Sequence, residues 1–228
     1  MSTSESLIHA DGKPSGPRSR KGIETRARLV RAAKGVFEQD GFLDARISDI
    51  AERAGLSHGS FYHYFESKDE IFREVTAEVD DRLSAPLSSV IMDSSSRAGP
   101  YERIREAIRL HLESYRDQAR IMAVIEQVSR FDPGVRASRL ERHRQYLLEI
   151  ADSIRSLQRH GLVDRQLDPT VAAAGLGSMT SRFPEMWFVQ ELFECEFDEG
   201  VEQLSLLFAR ALGLEQVQHQ AGNVSAPG

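Results

Sequence analysis

The stretch Ile47–Phe65, ISDIAERAGLSHGSFYHYF, decides how this chain is read. Ile47, Ile50, Ala51 and Ala54 recur at helical spacing, which gives a short helix one apolar face. Gly55 supplies the left-handed or open backbone that a tight turn between crossed helices needs. Leu56 can plug the angle between the helices, and Ser57 is placed to accept the first free N–H groups of the next one. That second helix is expected over residues 58–64. It would bury Phe61 and Phe65 and turn His58, Ser60, Tyr62, His63 and Tyr64 outward. A face rich in donors and without acids suits approach to phosphates and base edges.

Outward from this pair the periodicity stays helical almost to the end. Ile23, Ala27, Val30, Ala33 and Phe37 form a stripe that Gly41 closes. Ser67-Lys68-Asp69-Glu70 is a capping box, opening a helix with Ile71, Phe72, Val75, Val79 and Leu83 on one side and a weak point near Pro86. DSSSRAGP, residues 93–100, reads as a loop. Asp132-Pro133 and Asp168-Pro169 each pair a cap with proline at the first helical position. Gly161 and Gly213 stop helices, and Asp198 is expected to cap the last one. The fold class is all-α, with about nine helices. The expected organisation is a disordered basic arm over 1–20, a helix-turn-helix head over 21–68, a helical second domain over 69–213 and a loose tail over 214–228. Residues 69–91 form the helix linking head to second domain.

Charge is distributed unevenly. The 228 residues carry a net charge of −6, yet eight bases stand against Glu24 alone between Lys13 and Lys34. Residues 69–228 hold 18 bases and 26 acids. Positive charge at one end can neutralise phosphates locally, whereas a protein that coats DNA indiscriminately favours positive charge throughout. A single cysteine, Cys195, excludes an intramolecular disulfide and any Cys-based zinc site. Apolar runs are too short for a membrane span, and the start lacks a secretory signal. A cytoplasmic setting is therefore expected. Arg18–Lys21 either reaches DNA as an arm or makes no contact. No nucleophile, metal set or cofactor motif is evident: His143 sits between Arg142 and Arg144 as part of a charged face, and the acids around Cys195 have no nearby histidine.

Residues 25–72, about a fifth of the chain, resemble the DNA-binding domain of the TetR family of transcriptional regulators. The match is carried by Ile50-Ala51, Ala54-Gly55-Leu56-Ser57, Gly59, Tyr62, Tyr64-Phe65 and Ser67-Lys68-Asp69. The resemblance implies that the third helix enters the major groove of a palindromic operator. It places Ser57, Ser60, Tyr62 and Tyr64 at DNA and Lys68 on a phosphate. His58 and His63 stand beside them, and Gly59 would let the backbone come close. Arg46 departs from the Ser or Thr usual before the second helix; it and Ser48 could bind base or phosphate.

The resemblance further implies a homodimer through the helices near 169–190 and 199–212 and a repressor released by a small effector. Ala172–Gly177, with its small side chains, and Leu204, Leu207 and Phe208 are the candidate interface. Candidate effector contacts are the polar or aromatic residues on apolar faces: His111, Tyr115, Gln127, Tyr146, Phe183 and Trp187. Met122 and Met179 add adaptable surface. Ordinary core packing competes at each. The aliphatic and aromatic candidates point to a lipophilic effector.

Overall fold

The computed structural model describes residues 19–91 and 97–214. Among them there is no strand, and the order is α1 (Arg20–Asp44), α2 (Ile47–Arg53), α3 (His58–Phe61), α4 (Lys68–Ile91), α5 (Pro100–Asp117), α6 (Ala119–Ser129), α7 (Pro133–Arg159), α8 (Pro169–Pro184), a π-helical turn (Glu185–Val189) and α9 (Phe197–Leu212). Most of the expected arm and tail, residues 1–18 and 215–228, lie outside the described residues, as does the first half of the expected 93–100 loop.

Helix boundaries follow local chemistry. Asp132 Oδ1 accepts the Val135 N–H, and Asp168 Oδ1 accepts those of Thr170 and Val171, so both Asp-Pro pairs cap as expected. Gly41 takes φ 74° and interrupts α1, whose last turn runs on to Asp44. The capping box is displaced by one residue. Ser67 Oγ accepts the Glu70 N–H, but the Glu70 carboxylate takes the N–H of Glu66. Two expectations fail. Helix α3 ends at Phe61 because its carbonyl is shared by the N–H groups of Tyr64 and Phe65, which turns the chain toward α4. Asp198 does not cap α9; it lies inside the first turn and its carboxylate meets Arg109 on α5 at 2.7 Å.

The core falls into two continuous parts. The first joins α1–α3 to the first half of α4 and to α6, with Phe37, Phe61, Phe65 and Phe72 fully buried. The second lies between α5, α7, α8 and α9 around Ile108, Leu112, Ala173 and Leu204. Ile23, expected inward, is 58% exposed, whereas Leu29, outside the expected stripe, is fully buried. Trp187 sits against α9 so closely that a Cβ at Gly200 would lie 2.4 Å from its ring.

Helix α4 is gripped at both ends of this core. At its start, Lys68 Nζ donates to the carbonyls of Phe42, Leu43 and Ala45 at 2.7, 3.0 and 2.9 Å and lies over the Phe42 ring. These are carbonyls at the end of α1, where no further helical N–H follows to satisfy them. Arg26 of α1 adds an ion pair to Glu74 and stacks over Phe65. Toward the other end, His111 of α5 is buried with Nδ1 2.8 Å from the Leu83 carbonyl and Nε2 2.8 Å from the Thr180 carbonyl of α8. Thr180 needs this partner because the residue four ahead, Pro184, has no N–H to give. Burial pushes the imidazole pKa down, while the two carbonyls pull it upward.

An ammonium has three protons, and Lys68 places all three on carbonyls. Lys68→Met should therefore destabilise the protein by about 2 kcal/mol, since bonds to a charged group contribute more than neutral ones. Urea unfolding at fixed protein concentration measures this. Unchanged stability combined with a large loss of DNA affinity would point back to a phosphate contact.

Candidate nucleic-acid interface and effector cavity

The exposed end of the head is built on a short, tightly capped α3. Ser57 Oγ accepts the Ser60 N–H at 3.2 Å and lies 2.7 Å from the Ser60 hydroxyl. Ser57 thus acts first as a cap, and its hydroxyl is shared with Ser60. Phe61 and Phe65 anchor α3 inward. The opposite side presents His58, Gly59, Tyr62 and His63 as exposed residues, with Ser60 and Tyr64 half-buried. Tyr62 is 50% exposed and its ring meets His58 edge-on at 5.4 Å. Nothing lies within 4 Å of a Cβ built on Gly59, so no neighbour within the chain explains a glycine there. Arg46 precedes α2 without a side-chain cap and is exposed, while the Ser48 hydroxyl donates to Asp49. Lys68 alone among the expected contacts is turned away, because its ammonium is held by the α1 carbonyls.

A cavity of about 570 Å³ opens between α4, α5, α6, α7 and α8. Of the expected effector contacts it takes in Tyr115, Met122 and Tyr146. Gln127 is exposed and outside it; the residue of α6 that lines it is Glu126, one position earlier on the helix. His111 is outside the lining, occupied by its two carbonyls. Met179, Phe183 and Trp187 belong to the second core, where Trp187 stacks on Phe188 at 4.4 Å. A small apolar extension of about 30 Å³ shares Tyr146, Ile150 and Thr180 with the main cavity and runs toward Leu157, Phe208 and Leu212.

The charged side of the cavity escaped the sequence reading. Asp80 and Asp81 come from α4, Glu126 from α6, and Arg139 and Arg142 from α7. Arg139 donates to Glu126 at 2.8 Å, and Arg142 pairs with Asp81. Asp80 is only 8% exposed; its Oδ1 stands 3.7 Å from Arg139 Nε, too far for a hydrogen bond, and its Oδ2 has no partner. A signal was available. Asp80 lies four residues after buried Thr76 and three before Leu83, on the apolar stripe where a carboxylate is out of place.

Burial raises the Asp80 carboxyl to about 6, overcoming the opposing pull of Arg139 and Arg142. The folded state therefore binds this proton more tightly than the unfolded chain does. Its stabilising contribution is complete below about pH 4 and is lost as pH rises through about 6. Between pH 4 and pH 8 the stability of Asp80→Asn relative to the native chain should rise by about 2 kcal/mol. Urea unfolding at the two pH values tests this; a constant difference would contradict it.

Comparison with known proteins agrees with this geometry. Residues 29–75 match the family described as bacterial regulatory proteins, tetR family, and residues 97–191 match the tetracyclin repressor-like C-terminal domain. The chain is 36% identical over 105 residues to the HTH-type transcriptional regulator RutR of Escherichia coli strain K12, an alignment covering 46% of this chain and 48% of RutR. The chain thus spans about half the length of the curated relatives it matches. A putative TetR-family regulator from Mesorhizobium loti superposes with a TM-score of 0.73 at 19% identity, covering 86% of this chain and 98% of that one. The regulator FadR of Bacillus subtilis, solved in complex with stearoyl-CoA, superposes with a TM-score of 0.67 at 18% identity, covering 81% and 98%. Among the described residues no helix is long and apolar enough to cross a membrane, and no group of His, Cys, Asp or Glu is placed to hold a metal. With both family domains matched in order on an all-helical fold that presents α3 outward, the chain belongs to the TetR family of bacterial transcriptional regulators, which are not enzymes.

Proposed function

We propose that the protein is an effector-responsive repressor that binds a two-fold operator as a homodimer in the cytoplasm. The observation that carries this reading is the continuity of α4. One helix starts at the reading head and lines the cavity some three turns later, at Asp80, Asp81 and Leu83. In this reading residues 21–68 are the head and 69–213 the effector and dimerisation domain. Helix α3 enters the major groove, with Tyr62, His63, Ser60 and Tyr64 toward the bases. His58, Arg46, Ser48 and the Gly59 backbone meet bases or phosphates. Lys68 and Ser57 serve by holding the head in shape.

Dimerisation through α8 and α9 is supported by what these helices leave uncovered. Val171 is 71% exposed, and Ala174, Gly175 and Ser178 continue a stripe of small residues along α8. On α9, Leu207 is 53% exposed and Ala211 is also outward, whereas Leu204 and Phe208 are buried within the chain. Two heads related by a two-fold axis double the few base contacts that one short helix makes. An effector in the cavity favours one setting of α4 and changes the separation of the two heads; a hundredfold change in affinity needs only about 3 kcal/mol of coupling. FadR, whose fold is alike, was solved in complex with stearoyl-CoA, which supports a small-molecule effector, and the aliphatic wall of the cavity suits one with an apolar body.

Fluorescence anisotropy with the duplex upstream of the protein's own gene tests the reading. The native chain should prefer it over random duplex by at least about 10³, the low end for specific sites. Tyr62→Ala should weaken binding at least tenfold without lowering the melting temperature, and Leu207→Arg should yield monomers by light scattering. Equal affinity for random duplex would refute operator recognition.

A further inference from the structure

We infer that the effector carries a cationic, hydrogen-bond-donating head, an amine or amidine on an apolar body, which binds the Asp80 carboxylate. The inference rests on the cavity being the effector site. Its lining holds five carboxylates, Asp80, Asp81, Glu126, Glu149 and Glu185, against the three guanidiniums of Arg139, Arg142 and Arg182. Each guanidinium already has a carboxylate: Arg139 has Glu126 at 2.8 Å, Arg182 has Glu185 at 2.7 Å, and Arg142 has Asp81. An anionic head would share a guanidinium already neutralised by a carboxylate and add to the excess of acids in the lining. A cation offsets that excess.

The acceptor for it is in place. Asp80 is more than nine-tenths buried, lines the cavity, and has an Oδ2 without a partner. A buried acceptor left unpaired costs free energy that a ligand donor recovers. The Tyr146 hydroxyl, also buried and without a partner, lies on the same cavity wall as a second polar contact. Arg139 Nε, the other unpaired donor of this wall besides the Tyr146 hydroxyl, already faces Asp80 Oδ1 at 3.7 Å, so a small shift of the carboxylate answers it from within the chain. The rest of the molecule finds Met122, Leu147 and Ile150, and beyond Tyr146 the apolar extension bounded by Leu157, Leu176 and Phe208. Volume agrees, because pockets for small organic ligands run from about 300 to 1,000 Å³. The burial that raises the Asp80 carboxyl points the same way: the pull of Arg139 and Arg142 falls short of offsetting the lost water, and a ligand ammonium adds the hydrogen bond that Arg139, at 3.7 Å, does not close.

Three probes of one chain length separate the head groups: n-decylammonium, n-decanol and n-decanoate, titrated calorimetrically into the native protein at pH 7.5 below their micellar concentrations. Decylammonium should bind at least tenfold tighter than decanol, and decanoate weakest. Asp80→Asn should lose at least tenfold in decylammonium affinity while its decanol affinity stays within twofold, which also certifies that its cavity is intact. Tyr146→Phe should weaken decylammonium by a smaller factor. Equal affinities for the three probes, tighter binding of decanoate, or an unchanged decylammonium affinity in Asp80→Asn would each overturn the inference. Decylammonium that binds through Asp80 but leaves the operator complex intact upholds the head-group chemistry and rejects the coupling proposed for the site.

Discussion

Helix α4 is held in place by two side chains, one at its start and one near its other end, that reach backbone carbonyls across the packed helices. Lys68, at its start, takes three carbonyls from the end of α1. His111 lies between the Leu83 carbonyl near its other end and the Thr180 carbonyl in α8 that Pro184 leaves without a donor, with a ring nitrogen 2.8 Å from each; the neutral ring donates to one of them and only the imidazolium to both. A buried unpaired carbonyl is costly, so each grip resists any displacement that would break it. The reading head is therefore a fixed extension of α4. The position of α4 in turn is referenced to α5 and α8.

Between these grips α4 meets α7 through charge. Asp81 pairs with Arg142, and Asp80 faces Arg139 without closing a hydrogen bond. Burial makes the second arrangement unfinished: a carboxylate that has lost its water has not gained a full partner. A small molecule that supplies the missing donor changes the energy of the one helix that reaches the head. Packed cores shift between discrete arrangements and do not deform smoothly, so a local change at Asp80 has a route to the separation of two recognition helices.

What was legible in the residues was local. The turn at Gly55, the caps at Ser57, Asp132 and Asp168, and the stops at Gly161 and Gly213 each depend on neighbours a few positions away, and each appears as read. Where a long-range partner competes, the local pattern says less. Asp198 has the composition of a cap but is drawn to Arg109 on α5, and the Lys68 ammonium, which the family resemblance put on a phosphate, meets the α1 carbonyls in this structure. The cavity was only half visible. Tyr115, Met122 and Tyr146 stood out as aromatic or soft residues on apolar faces, whereas Asp80 and Arg139 come together only through the rotation of α4 against α7. That rotation is a tertiary quantity, which no local pattern encodes.

The central claim is that occupancy of the cavity, carried by α4, sets operator affinity. It can be tested without knowing the effector. Gly177 lines the cavity, and nothing lies within 4 Å of a Cβ built on it, so a side chain placed there extends into free space. Gly177→Phe occupies the cavity from within. Anisotropy titration of this variant on the operator, with its dimeric state verified by light scattering, should show affinity reduced at least tenfold. A dimeric Gly177→Phe protein with the phenyl ring seen in the cavity and native operator affinity would contradict the claim.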